Sequence, residues 1–338
     1  MEILKGVILL LVVLAGFSLF SLKMPKGSKA MGALAGAATA SFLVEAFHYF
    51  VGGDLFGIEF LKGLGAASGS MGGVAAAALV PIALGVNPTY AVLVGASVAG
   101  FGIIPGFLAG YVLAFVVPKI EEKVPQGADL IAVIVLAAPL ARFVATVSNP
   151  VVNATLLNIG KIIENAANTS PIIMGIVLGG VITMVATAPL SSMALTAMLG
   201  LTGVPMAIGA LSVMGSSFMN GVLFHKIFKD RSTTIAVAIE PLTQADLISA
   251  NPIPVYVTNF IGGAMTGVII AKFGLINNAV GTATPIAGLM VMYGFNDAKT
   301  VTLVAVLCAI TGLIAGTLGA MVFKNYKIKS VAEVRGSN

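Results

Sequence analysis

The sequence predicts an all-α polytopic membrane protein with about 8–10 spanning helices, two re-entrant hairpins and one amphipathic helix along the membrane interface. Composition is the first of three observations that support this fold class. The 338 residues are 58% hydrophobic, only 9% of them are charged, and the mean hydropathy is +1.05. A soluble domain carries about 25% charged residues. The composition therefore excludes soluble enzymes and nucleic-acid-binding domains, and the lipid bilayer is the expected surrounding.

The second observation is the spacing of the apolar runs. A spanning helix needs about 20 consecutive, mostly apolar residues. Nine runs come close to or exceed that length, and they lie at 3–22, 31–51, 61–84, 89–117, 130–147, 171–188, 204–224, 253–275 and 301–323.

Three further segments do not match a simple spanning helix. Segment 151–169 mixes apolar and charged side chains, which is typical of a helix lying along the interface. Segment 233–250 contains Pro241, and segment 277–295 contains Pro285, so both are predicted to be broken or re-entrant. Non-helical backbone at membrane depth persists only where protein or a water-filled cavity satisfies its polar groups. The two broken segments therefore mark the expected position of a polar ligand.

The third observation is the distribution of basic residues. Three clusters, at 23–29, 226–231 and 324–335, contain ten of the 18 basic residues. The positive-inside rule places all three in the cytoplasm. This orientation explains the net charge of +5 better than nucleic-acid binding does. We therefore expect one membrane domain over residues 1–338, a retained N-terminal anchor at 3–22, and a short cytoplasmic tail at 324–338.

Glu240 is the strongest candidate for a binding residue. It follows the apolar run 234–239 and precedes Pro241, which interrupts helical hydrogen bonding. A carboxylate inside a membrane segment is costly and therefore indicates a function. At a helix break it can accept two hydrogen bonds from sugar hydroxyls, whereas a solvated loop carboxylate is the alternative. The neighbouring polar residues that we expect in the same solute site are Gln244, Asp246 and Asn251.

Other polar residues extend this prediction. Ser191 and Ser192 lie in a short apolar stretch, where their hydroxyls face a ligand or bond to their own helix. Asn149 adds an amide to the predicted solute site. Glu45 and His48, three residues apart, form a candidate polar or proton-relay pair, and a self-satisfied or interfacial position is the alternative.

Sequence signatures of enzymes are missing from the chain. It contains no HExxH, no paired CxxC and no Walker-type lysine loop. We therefore expect no catalytic residue, no metal ion and no cofactor. The single cysteine, Cys308, lies in an apolar run and is predicted to be a packing residue. Gly263 and Gly267 form a GxxxG pattern, which indicates close helix packing.

The segment around Glu240 resembles a known family. Residues 236–255 (AVAIEPLTQADLISANPIPV) resemble the glutamate-bearing re-entrant loop of the membrane (IIC) subunits of sugar phosphotransferase systems, especially the fructose type. The segment looks closer still to the IIC-like family typified by the perfringolysin regulator. The resemblance covers most of the chain from about Gly106 onward, with 110–112, 172–180 and 277–288 in the expected order.

The chain departs from the fructose type at two places. Residues 284–288 (TPIAG) stand where that type has a Pro-His-Gly-Gly motif. Ala186 and the pair Ser191 and Ser192 stand where it has an acidic residue and an Asn-Lys pair. These differences indicate a different solute, or one that is not phosphorylated.

The resemblance implies a homodimeric permease subunit of the bacterial cytoplasmic membrane. Such a subunit has a dimerisation scaffold and a transport unit with two re-entrant hairpins, in which Glu240 would hold a sugar hydroxyl. It would translocate a small sugar-like solute, while separate IIA/IIB-type phosphocarrier proteins supply the phosphoryl group. The alternative is a IIC-like membrane sensor or regulator without phosphotransfer. An intramembrane hydrolase would need a nucleophile and a base that the sequence does not offer.

Overall fold

The computed structural model describes residues 2–125, 127–188 and 192–335. Within these ranges every regular element is helical and no strand occurs, which confirms the predicted all-α class. Seven of the described helices are long and apolar enough to cross a membrane. The number rises to eight if the bent pair Glu59–Ser70 and Gly72–Leu84 forms one span. The larger number equals the lower limit of the predicted range.

The helices form two compact units, Val12–Ile159 (the N-terminal unit) and Met1–Leu11 with Gly160–Asn338 (the C-terminal unit). The first helix, α1 (Glu2–Lys23), has residues in both. A single domain over 1–338 stays a prediction. The other helices with residues in the N-terminal unit are α2 (Gly27–Leu55), α3 (Glu59–Ser70), α4 (Gly72–Leu84), α5 (Pro88–Ser97), α6 (Ile103–Lys123) and α7 (Asp129–Thr169).

Two of the predicted segment boundaries are wrong. The run 89–117 is not one span, because α5 ends at Ser97 and a turn containing Gly100, whose φ of 86° lies in the left-handed region, precedes α6. The predicted interfacial helix 151–169 is not separate, because α7 continues through it. A π-helical turn at Asn153–Leu157 follows Pro150 and allows the helix to continue.

The C-terminal unit contains the predicted broken segments. Its central helix, α10, packs against α8, α13 and α15. The helices of this unit after α7 are α8 (Pro171–Thr187), α9 (Ser192–Met198), α10 (Gly203–Ile227), α11 (Arg231–Ile239), α12 (Ala245–Ala250), α13 (Pro252–Phe273), α14 (Pro285–Phe295), α15 (Ala298–Val322) and α16 (Val331–Arg335).

Glycine allows α8 and α13 to approach closely. Gly175 and Gly179 of α8 face Gly267 and Gly263 of α13, and a methyl group at any of these positions would overlap the backbone of the opposite helix. Small residues at such an interface bring backbones into van der Waals contact, which is a main source of helix association in membranes. The close packing predicted from Gly263 and Gly267 is therefore confirmed.

Candidate functional site

A break between two short helices positions Glu240. Helix α11 ends at Ile239, since Pro241 has no amide proton to continue the helical ladder. Glu240 is extended, with φ −149° and ψ 102°, and Pro241 starts a 3-10 turn over Pro241–Gln244. Thr243 donates to the Glu240 carbonyl from its amide, at 3.1 Å, and from its hydroxyl, at 2.7 Å. The predicted break at Glu240 and Pro241 is present.

The Glu240 carboxylate has two neutral hydrogen-bond donors. Thr284 Oγ1 donates to Oε2 at 2.8 Å, and the Leu242 amide donates to Oε1 at a longer 3.4 Å. The ion pairs within the described ranges are Lys62 with Asp54 and Arg335 with Asp246, so neither of them includes Glu240. The carboxylate is thus held by a hydroxyl and an amide, and Oε1 retains capacity to accept another hydrogen bond.

Thr284 ends a non-helical segment, 275–284, that satisfies its own polar groups. Asn277 accepts from the Ala279 amide at 2.9 Å and donates to Thr282 Oγ1 at 2.9 Å, and Thr282 Oγ1 donates to the Ala279 carbonyl at 2.8 Å. Asn277, Thr282 and Thr284 are all buried. These internal hydrogen bonds explain how irregular backbone is tolerated inside the helical core.

Ser192 supports the same segment. Its buried hydroxyl donates to the carbonyl of Ala283 at 2.6 Å, next to Thr284. Ser192, one of the two predicted serines, therefore fixes the backbone next to Thr284, which is the hydrogen-bond partner of Glu240. Ser191 lies outside the described residues.

Gln244, Asp246 and Asn251 contact the C-terminal tail. Arg335 donates to both carboxylate oxygens of Asp246 at 2.7 Å and to Gln244 Oε1 at 2.9 Å. The Lys329 amide donates to Asn251 Oδ1 at 2.8 Å, and Asn251 Nδ2 donates to the Lys329 carbonyl at 3.0 Å. The hydrogen bond from Arg335 lowers the pKa of Asp246. These three side chains thus bind the tail, and none of them hydrogen-bonds the Glu240 carboxylate.

The remaining predicted residues lie in the N-terminal unit. Asn149 is half-buried on α7. The Glu45 carboxylate lies against Gly69 of α3, whereas His48 lines a cavity of about 550 Å³. No ion pair joins Glu45 and His48 within the described ranges, and their role as a polar or proton-relay pair stays a prediction. His48 lies in the π-helical segment Ala46–Leu55, which begins directly after Glu45.

A second cavity, of about 470 Å³, is lined by sequence neighbours of Glu240 and Thr284, although neither of these two residues is part of its wall. Ala238 and Ile239, just before Glu240, and Pro285, just after Thr284, belong to its wall. The wall is mostly apolar, and its hydroxyl groups come from Ser217, Tyr293 and Thr302. The hydroxyls of Tyr293 and Thr302 lie 3.1 Å apart, and Ser217 Oγ is buried with no hydrogen-bond partner among the described atoms.

Sequence reasoning did not select Thr284 as a site residue. A threonine directly before a proline is a common start of a helix, in which the threonine caps the first turn. Here Thr284 makes no capping bond from its side chain, and its hydroxyl binds Glu240 instead. The Thr284–Pro285 pair could have indicated a helix start at this position from the sequence. Which group the Thr284 hydroxyl binds is decided by the tertiary structure.

Comparison with known proteins gives one family. The family described as "Phosphotransferase system, EIIC" matches residues 28–334, which is most of the chain. None of the curated proteins matches the sequence. The match starts well before residue 106, where the resemblance in the sequence begins, and includes the Glu240 loop and the Thr284 segment. The chain therefore belongs to the phosphotransferase system EIIC family and is a permease-like, multi-pass membrane subunit.

Proposed function

We propose that the chain binds a small sugar-like solute at Glu240 and Thr284 and translocates it across the bacterial cytoplasmic membrane. The observation that carries this proposal is the Glu240 carboxylate at a helix break, held by Thr284 from the second broken segment at 2.8 Å. Helix breaks at membrane depth are where transporters hold polar solutes. EIIC subunits belong to sugar transport systems, which makes a sugar the expected solute class.

The chemistry of the site fits a polyol. A solute hydroxyl can donate to Glu240 Oε1, whose contact with the Leu242 amide is 3.4 Å long. The C–H face of a sugar ring matches the apolar wall of the neighbouring cavity, whose 470 Å³ lies within the usual range of small-molecule sites. Hydroxyls of Ser217 and Tyr293 supply further donors and acceptors.

Phosphoryl transfer is assigned to separate proteins. We propose that IIA/IIB-type carriers donate the phosphoryl group from the cytoplasmic side, and that this chain positions the solute. Two features support a cytoplasmic tail: the basic clusters, and the electrostatic interaction of Arg335 with Asp230 in the basic α10–α11 loop. The fructose-type subfamily and a homodimer are further parts of this proposal, and both rest on the resemblance of the sequence.

A membrane sensor or regulator is the second candidate function. Residues 284–288 carry no histidine where fructose-type subunits have Pro-His-Gly-Gly. The hydroxyl of Thr284 in this segment donates a hydrogen bond to the Glu240 carboxylate instead. A protein that binds a sugar without passing it to a carrier would keep Glu240 and could lack that histidine.

The first experiment measures solute binding. The purified full-length protein in detergent is heated with a panel of sugars, sugar alcohols and sugar acids, alongside Glu240→Gln and the control Glu59→Gln, which alters an exposed carboxylate at the start of α3. We expect at least one solute to raise the melting temperature of the wild type and the control but not of Glu240→Gln. Equal stabilisation of all three proteins, or of none, contradicts the proposed site.

The second experiment separates the two functions. The solute found by binding is supplied to proteoliposomes, with and without phosphorylated IIA/IIB carrier proteins. Uptake of solute by the wild type supports the permease, and its phosphorylation supports the carrier partnership. Binding without uptake under both conditions favours the sensor.

A further inference from the structure

The C-terminal tail holds the loop that carries Glu240. We call residues 240–251 the glutamate loop and residues 329–335 the tail strap. We propose that the tail strap is a releasable clamp that fixes the glutamate loop in one position and controls its movement. The role of the clamp in regulation rests on the proposed function, because that function assigns the solute to Glu240. The contact between the tail strap and the glutamate loop does not depend on that function.

The tail strap forms hydrogen bonds with the glutamate loop at two places. Arg335 binds Asp246 and Gln244 through three hydrogen bonds of 2.7–2.9 Å. Lys329 exchanges two backbone hydrogen bonds with the Asn251 side chain, at 2.8 and 3.0 Å. Asn251 is buried, and so is Gln244. Because the tail strap is attached near the middle of the glutamate loop and at its end, the loop can neither shift nor rotate freely.

A continuous chain of hydrogen bonds leads from the tail strap to Glu240. Arg335 donates to Gln244 Oε1 at 2.9 Å, and Gln244 Nε2 donates to Thr243 Oγ1 at 3.1 Å. Thr243 Oγ1 in turn donates to the Glu240 carbonyl at 2.7 Å. Arg335 also interacts electrostatically with Asp230, the residue that caps the start of α11. The arginine therefore acts on both sides of the break that positions Glu240.

The glutamate loop needs an external support. Its secondary structure consists of a four-residue 3-10 turn and the six-residue helix α12. Helices this short are unstable by themselves in water, because nucleation costs more than a few hydrogen bonds return. Two buried residues, Leu247 and Ile248, anchor α12. Loss of the polar contacts would leave the rest of the loop weakly held.

The contact is also easy to release. Helix α16 has only five residues and buries none of them. The side chains of Arg335 and Asp246 remain 35% and 46% exposed, so water and salt screen their charges. A weak, polar and specific contact can open without unfolding the core. Movement of one segment against a fixed scaffold is how such transporters expose a site to each side in turn.

The test is hydrogen–deuterium exchange of the full-length protein in detergent at low salt. The variants are Arg335→Gln and Asp246→Asn, and the control is Lys324→Gln, which removes an exposed basic group of the tail outside the strap. We expect peptides covering 240–251 to exchange at least threefold faster in the first two variants and at the wild-type rate in the control. The charge reversal Asp246→Arg with Arg335→Asp should bring exchange back toward the wild-type rate. Unchanged exchange in Arg335→Gln, or equal acceleration in Lys324→Gln, overturns the proposal.

The exchange experiment uses no solute, so it fails or succeeds independently of the proposed function. If Glu240→Gln abolishes solute binding while Arg335→Gln leaves exchange unchanged, only the clamp is contradicted. If exchange responds as expected but no sugar binds, the clamp is supported and the proposed sugar site is contradicted.

Discussion

Asn220 and Asn259 exchange two amide hydrogen bonds in the core of the C-terminal unit. Asn259 Nδ2 donates to Asn220 Oδ1 at 2.7 Å, and Asn220 Nδ2 donates to Asn259 Oδ1 at 3.2 Å. Both side chains are completely buried. Thr183 Oγ1 adds a hydrogen bond to the Asn259 carbonyl at 2.9 Å. The pair joins α10 to α13 and Thr183 joins α8 to α13, so polar contacts fix the three helices on which the two broken segments rest.

Removal of one partner of this pair should destabilise the protein. Asn220→Ala leaves the Asn259 side-chain oxygen without its donor, at a cost of about 1 kcal/mol in the free energy of unfolding. Unfolding in mixed micelles measures this change. In the cycle completed by Asn259→Ala and the double variant, we expect the double variant to lose less than the sum of the single losses. Strict additivity would show that the two amides do not interact.

Close packing of α8 on α13 predicts a second effect. Gly179→Ala places a methyl group on the Gly263 carbonyl, so the helices must separate, and we expect a loss of about 1–3 kcal/mol. The matched control is Gly32→Ala, because nothing lies within 4 Å of the added methyl group there. The melting temperatures of both variants should be compared with that of the wild type. An equal effect at the two positions would contradict the packing interpretation.

The hydroxyl of Thr284 should contribute to solute binding. Thr284→Val keeps the shape of the side chain but removes the donor to Glu240, and we expect about tenfold weaker binding, since a hydrogen bond to a charged group contributes about 1.5–3 kcal/mol. Thr284→Ser should restore most of the affinity. Thr146→Val removes an exposed hydroxyl that bonds only within its own helix and serves as the control. Titration calorimetry with the solute found above gives the affinities. Wild-type affinity in Thr284→Val would exclude the role.

Acid should release the tail strap. Arg335 lowers the pKa of Asp246 below its ordinary value of 3.8, so the ionised contact stabilises the folded state above that value. The stabilisation is lost as the pH falls through the lowered pKa. Among the described residues, Asp230 is the other acidic group that interacts with Arg335, and its pKa is also lowered, mainly by the Thr233 amide and hydroxyl.

The measurement compares wild type with Asp246→Asn at each pH, because intrinsic hydrogen exchange itself depends on pH. Between pH 5 and 8 (about the range in which the carboxylate stays ionised), we expect a constant excess of protection over 240–251 in the wild type. The excess should start to shrink only once the pH falls below 3.8, the ordinary value for aspartate, and should vanish below the lowered pKa of Asp246. A difference that instead appears only in acid would reverse the assigned sign.

Local patterns in the sequence were sufficient for the fold class and for part of the site. Apolar runs and few charges predict membrane helices from local sequence, because a spanning segment needs about 20 mostly apolar residues and a charged side chain in hydrocarbon is costly. The break at Glu240 was equally predictable, since Pro241 cannot donate a backbone hydrogen bond wherever it lies. The glycine pairing of α13 followed from the GxxxG spacing, whereas its partner, α8, did not.

Only the tertiary structure decided which polar groups meet. Glu240 and Thr284 are separated by 44 positions, and Arg335 lies 89 positions from Asp246. No local pattern encodes such distances. Gln244, Asp246 and Asn251 were predicted to face a solute because they are polar neighbours of Glu240, and their observed partners are the tail residues. The sequence by itself thus determined a membrane-spanning helical protein with a carboxylate at a helix break. The fold decided the hydrogen-bond partner of that carboxylate, because a hydrogen bond depends on the positions of both groups in space.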